Sequence, residues 1–219
     1  MTPQTPWQHT LVFAIAHEIG NHLSAIRLQA HLLGLGDENL PKALAETSIE
    51  IDSLAGRVAP LLALLRPILS PAMSPVTSAE GPPSGAVSWS GLLEALGRQI
   101  ENEGTRGVQV DILAPADPQA RAPAVDWLQP LVMALVGSTL DAASESGKIV
   151  LETDLLGDEA LLVLEDDAAE EDLSAEAPLC GRPLCVSIAR RLLASSGGHV
   201  KVIRVEDRTR IELVFPQSP

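Results

Sequence analysis

The sequence predicts an α+β protein: an N-terminal antiparallel helical hairpin that forms a dimeric four-helix bundle, followed by an α/β sandwich. Three observations carry this expectation. Residues 12–33 and 44–68 repeat apolar side chains at intervals of three and four, the signature of helices with a heptad seam. Residues 70–88 (SPAMSPVTSAEGPPSGAVS) hold four prolines and two glycines and no apolar period, which marks a linker. The stretch from there to residue 216 alternates strand-like and helix-like segments. The expected domains are therefore 7–69 for the hairpin, 70–86 for the linker and 87–216 for the α/β unit.

The seam of the first helix is Val12, Ala16, Ile19, Leu23, Ile26, Ala30 and Leu33, ended by Gly34, Gly36 and Asp37. The second helix repeats Leu44, Thr47, Ile51, Leu54, Val58, Leu61, Leu65 and Ile68. Pro60 is expected to kink it, because proline lacks a backbone donor and crowds the preceding turn. At about 1.5 Å per residue each helix is roughly 40 Å long. A lone hairpin leaves its seams part-open, and pairing two hairpins closes them, so a homodimer is expected.

In the second domain, residues 90–102 read as a helix with Leu92, Leu93, Leu96 and Ile100 inward. Residues 108–113 alternate like a strand. Asp126 is an expected N-cap for a helix running to about Ser144. Strands follow at 148–154 and 160–166, then a helix at 184–195 ended by Gly197 and Gly198. Residues 200–205 and 210–215 close the chain as a hairpin, so several strands pair sequentially.

Composition narrows the function. The 219 residues include 15 Lys+Arg against 29 Asp+Glu, a formal charge of −14. That balance argues against a nucleic-acid surface and an anionic membrane surface, both of which need clustered cations. Aromatic residues are only 2% of the chain, so the core is aliphatic. No run of apolar residues is long enough to span a bilayer, and no basic segment precedes an apolar run as in a secretory signal. Cys180 and Cys185 make no disulfide framework and read as ordinary thiols. A cytoplasmic protein is expected.

The most informative stretch is Phe13-Ala-Ile-Ala-His17-Glu18-Ile-Gly-Asn21-His22-Leu-Ser-Ala-Ile26-Arg27. His17 follows the seam residue Ala16, which places it on the flank of the bundle, beside the core and facing water. Asn21 lies one turn on, on the same face. A neutral imidazole on a rigid helix is a usable nucleophile near pH 7. The zinc signature HExxH is excluded: position i+4 is Asn21, and His22 lies about 140° further round the helix than His17. His9, His22 and His31 read as members of a solvated polar face.

This stretch resembles the H-box of sensor histidine kinases. Phe13, His17, Glu18, Asn21, Leu23, Ser24 and Ile26 match it, while His22 stands where the family usually has proline. The order of hairpin, linker and α/β domain also follows the family, over residues 7–216. The resemblance implies an α/β sandwich of the histidine-kinase ATPase type, with His17 as phosphoacceptor. It further implies that Glu18 orients the His17 ring, and that Asn21 places a water or a phosphoryl oxygen.

The nucleotide motifs of that family are largely altered. In the helix whose asparagines hold Mg²⁺ and phosphates, Gly137 stands at the first position and Asp141 at the second. Asp166 matches the adenine-binding Asp, but Ala168 and Glu170 replace the glycines that let the backbone approach a nucleotide. Glu165, Asp166, Asp167, Glu170, Glu171 and Asp172 put six carboxylates near the expected phosphates, which is repulsive. The GxGL phosphate turn reads Gly181-Arg182-Pro183-Leu184, with proline at the second glycine. The stretch from Asp166 to Gly181 contains no Lys or Arg to reach a γ-phosphate. Scaffold segments persist, namely Ile188-Ala-Arg190-Arg191-Leu192 and Ser196-Gly197-Gly198-His199-Val200.

The resulting expectation is a dimeric histidine phosphotransferase derived from a kinase, with no input domain and little or no ATP binding. Its catalytic residues are His17, Glu18 and Asn21. Asp141 and Asp166 are remnants of a cofactor site, and no metal site is expected. Mg²⁺ comes from the partner, a response-regulator receiver domain. Two other readings stay open: an active sensor-less histidine kinase with a divergent ATP site, and a non-catalytic module that sequesters a receiver or a kinase.

Overall fold

The computed structural model describes residues 6–33, 40–69 and 88–216, less 104, 106, 114, 116, 118–121, 124, 144–145, 157–158, 169–170, 175–176 and 178. The predicted turn at Gly34, Gly36 and Asp37 and the predicted linker at 70–86 lie outside the described residues. The elements are α1 (Pro6–Leu33), α2 (Leu40–Leu69), α3 (Trp89–Glu103), β1 (Gln109–Ile112), α4 (Leu128–Ala142), β2 (Lys148–Leu156), β3 (Glu159–Asp166), α5 (Gly181–Ser195), β4 (His199–Val205) and β5 (Arg208–Pro216).

α1 and α2 form an antiparallel hairpin. The Gln8 side-chain amide donates to the Ile68 carbonyl at 3.0 Å and ties the first turn of one helix to the last turn of the other. α2 is unbroken at Pro60 and at Pro67. Proline has no N–H, so Pro60 frees the Gly56 carbonyl that it would otherwise have satisfied. The burial of Pro60 and Leu61 in the core outweighs that loss.

The seam read from α1 is only part of its buried surface. Leu11, Ala14 and Ile15 are buried, whereas Ala16 and Ala30 are exposed and Leu23 is 52% exposed. The reason is that α1 has two neighbours rather than one. It packs on α2 and also on α5, where Trp7 lies 5.5 Å beneath the Arg191 guanidinium. Leu11, Ala14, Ile15, Leu61, Leu64 and Ile68 belong to the same core cluster as the buried residues of α3, α4 and α5. Leu64 and Ile68 are fully buried there, each contributing about 1.5–3 kcal/mol. The hairpin and the α/β unit thus share one core.

The sheet has the order β1-β2-β3-β5-β4, with β1 and β2 parallel and the other pairs antiparallel. The residues of one sheet face, Ile149, Leu151, Leu162, Leu164, Ile211, Leu213 and Phe215, join the core beneath the helices. Leu161, Val163 and Val214 form a small separate cluster on the other face. Arg210 there pairs with Glu152, Glu165 and Glu212. Three of the few aromatic residues meet at one point: the Phe215 ring lies 6.1 Å from Trp89 and 6.2 Å from Trp127.

That aromatic contact corrects one expectation. Asp126 does not cap α4; the cap position is Trp127, which makes no side-chain cap bond. Burial of the Trp127 indole against Phe215 sets where the helix begins and leaves Asp126 exposed in the preceding turn. The end of α5 follows the expected glycine pattern. Gly197 is left-handed at φ +78°, and the Gly198 N–H donates to the Leu193 carbonyl at 2.8 Å. A Cβ at Gly198 would run into the Val214 carbonyl oxygen on β5. Gly198→Ala is therefore expected to destabilise the fold by about 1–3 kcal/mol, read as a lower urea midpoint at unchanged slope.

Candidate functional site

His17 and Asn21 stand on the open side of α1, both exposed, and among the described residues neither makes a hydrogen bond or ion pair. Phe13, 76% exposed, lies one turn before His17, and Leu28, 60% exposed, lies three turns after it. Phe13, His17, Asn21, Ser24 and Leu28 therefore form one exposed strip, with His17 one turn from its N-terminal end. A Cβ at Gly20, beside the strip, would meet nothing within 4 Å. The strip presents an unhindered imidazole flanked by apolar side chains.

Glu18 does not join that strip. Successive helical residues project about 100° apart, and this rotation turns Glu18 toward the α/β unit. Its Oε1 accepts the Gly181 N–H at 3.4 Å and lies 4.0 Å from His22 Nε2. The structure thus brings His17 and Asn21 together and directs Glu18 elsewhere.

Glu18 lines a cleft of about 160 Å³ enclosed by α1, α2, α4 and α5. Arg57 from α2 forms an ion pair there with Asp141 from α4. Gly137, one turn before Asp141, lies beside the Arg57 stem: a Cβ on it would be 3.8 Å from Arg57 Cγ, an ordinary van der Waals contact. Burial holds the His22 imidazole below its usual range, with Glu18 opposing that effect and Arg57 adding to it. Burial also pushes the Cys185 thiol up to about 12, so it stays protonated and donates to the Ala134 carbonyl at 3.5 Å. Cys180 and Cys185 are both free thiols.

The other end of the expected nucleotide site is filled from within. Asp166 ends β3 with its side chain fully buried. Its Oδ1 accepts from Arg182 Nη1 at 2.8 Å and from the Ala168 N–H at 3.0 Å. Arg182 Nε lies 3.3 Å from Glu171 Oε2. Burial raises the Asp166 carboxyl above the usual carboxylate range even though Arg182 pulls it down. Arg182 was absent from the expected site. Its signal in the sequence is that it is the first basic residue after an acidic run that otherwise has no counter-ion.

Of the six carboxylates, Glu170 lies outside the described residues, and the other five do not form one patch. Strand alternation sends Glu165 to the opposite sheet face from Asp166, where it meets Arg208 and Arg210. Asp167 Oδ1 accepts the Lys148 N–H at 2.8 Å. Asp166 and Glu171 share Arg182. Among the described residues no three of His, Cys, Asp and Glu are grouped so as to hold a metal ion. Among the same residues no helix is long and apolar enough to cross a membrane.

No protein-family model matches the sequence, and no curated protein is similar to it at a significant level. Solved structures define the class instead: the fold is histidine-kinase-like. The chain resembles the catalytic domain of the histidine kinase ThkA at a TM-score of 0.52 and 14% identity, over 61% of this chain and 95% of that one. It resembles the Acinetobacter baumannii histidine kinase AdeS at a TM-score of 0.53 and 12% identity, over 93% and 98%. It also resembles a bacterial phosphotransferase at a TM-score of 0.54 and 12% identity, over 97% and 98%.

Proposed function

We propose that this chain is a histidine phosphotransferase of two-component signalling that works without ATP. The observation that carries the reading is the buried Arg182–Asp166 pair. The carboxylate that the resemblance assigns to adenine is already bound by a guanidinium of the same chain. Freeing Asp166 for a nucleotide would strip Arg182 of its fully buried partner and leave it only the part-exposed Glu171, 3.3 Å from Nε.

In this reaction an imidazole nitrogen of His17 attacks the phosphorus of an aspartyl phosphate on a receiver domain. The P–N bond forms as the acyl P–O bond breaks, and the receiver's carboxylate leaves. Mg²⁺ arrives with the receiver. Both phosphorylated species are high in energy, so transfer runs in either direction. This chain's part is positioning, which is worth several kcal/mol by itself. The exposed Phe13, one turn from His17, and Leu28 further along the helix support docking of a partner on this strip. Asn21 is placed to hold a water or a phosphoryl oxygen. A second copy of the chain would cover Ala16, Leu23 and Ala30 and complete a four-helix bundle in the cytoplasm.

The test is incubation with a receiver domain carrying labelled phosphate on its aspartate. Acid-labile, alkali-stable label on His17 is the expected result, with no heat of binding for Mg-ATP in calorimetry. Label that reaches this chain only from ATP, or micromolar Mg-ATP affinity, would overturn the reading.

A further inference from the structure

We propose that the phosphate end of the former nucleotide cleft has become an internal latch, in which Glu18 and Arg57 of the hairpin hold the α/β unit in place. The inference rests on reading α4 and the start of α5 as altered nucleotide elements. It goes beyond the reaction at His17.

The first contact answers a need of α5. A helix leaves its first N–H groups without intrahelical partners, and its N-terminus carries partial positive charge. α5 has no acidic residue in its first turn, and its N-cap, Cys180, makes no side-chain cap bond. Pro183 offers no N–H at all. Gly181 takes φ +51°, a left-handed conformation suited to glycine, and its N–H donates to Glu18 Oε1. Glu18 therefore acts as a cap supplied by a residue 163 positions away. A carboxylate sits where the resemblance would put phosphate.

The second contact rebuilds α4. Gly137 and Asp141 stand where the resemblance expects asparagines. Gly137 lies beside the Arg57 stem, and with aspartate at the second position the guanidinium finds its counter-ion. The Arg57 side chain is largely buried in this arrangement. His22 lines the same cleft beside Glu18, and burial lowers its imidazole below the usual value. The same cleft holds both contacts.

Arg57→Asp and Asp141→Arg, made singly and together in the full chain, test this by hydrogen exchange and thermal melting. Each single variant places like charges together. It is expected to raise amide exchange in α4 and the first turns of α5 by about tenfold and to lower the melting midpoint. The double variant restores the pair and is expected to recover most of both effects. Arg57→Gln, which keeps most of the stem, is expected to move exchange in the same direction with an unchanged far-UV spectrum, so undocking is told apart from unfolding. Single variants with wild-type exchange, or a double variant as exposed as the worse single one, would overturn the latch. None of these readouts needs a phosphoryl donor, so failure of the latch and failure of transfer to His17 are seen separately.

Discussion

Arg182→Met is expected to destabilise the protein by about 3–5 kcal/mol at neutral pH. Methionine matches the stem of Arg182 in volume, so little packing is lost. The guanidinium that compensates Asp166 is lost, and a buried carboxylate remains with only the Ala168 N–H as partner. The Asp166→Leu and Arg182→Met double variant removes both charges and is expected to regain most of the loss, because an apolar pair of similar volume is often as stable as a buried ion pair. Urea melts of the three chains check this. A single variant within about 0.5 kcal/mol of wild type would show that the pair carries no weight.

The pH dependence gives a second check. Burial raises the folded Asp166 carboxyl above its unfolded value, and losing Arg182 raises it further. A carboxyl raised on folding binds more protons in the folded state, so the variant gains stability as pH falls through the folded value. The Arg182→Met deficit is therefore expected to shrink as melts move from about pH 7 toward pH 5. A deficit that stays constant over that range would mean that Asp166 is not the group left exposed to the loss.

Local periodicity made most of the fold legible. α3, β1, β2, β3, α5, β4 and β5 lie within a few residues of their expected bounds, because each carries its own apolar pattern. Asp126 misled because its capping chemistry was real but weaker than burial of the next residue, Trp127. α1 misled in a different way. Its heptad is a true repeat, but Leu11 and Ala14 join a core shared with the α/β unit, which begins more than seventy residues further along the chain. No repeat within α1 announces that contact.

The shared face of His17 and Asn21 was legible because both stand on one helix, one turn apart. The site was not legible where two distant segments meet. Glu18 reads as a partner of its sequence neighbour until α5 supplies a stronger claim through the Gly181 N–H. Arg182 reads as the variable residue of a glycine turn until Asp166 comes within 2.8 Å. Asp141 reads as a lost ligand until Arg57 from α2 pairs with it. In each case the chemistry of the residue was visible and its partner was not.

His17→Gln is expected to abolish acid-labile label from a phosphorylated receiver, a loss of at least about 10³-fold in the rate of transfer. Glutamine keeps a polar side chain and a good helix propensity but has no lone pair basic enough to attack phosphorus at neutral pH. His17 is exposed and without described partners, so the variant should melt as the wild type does and bind the same receiver. This separates loss of the nucleophile from loss of the fold. Asn21→Ala supplies the contrast: label should still reach His17, because the nucleophile is intact, while its spontaneous loss to water should slow if the amide places that water. His9, His22 and His31 share α1 with His17 and serve as internal controls. Of these, His22 is partly buried beside Glu18 and is not free to meet a receiver. Label that persists in His17→Gln at the wild-type rate would move the phosphoacceptor to another residue and remove the basis for a relay through the exposed strip of α1.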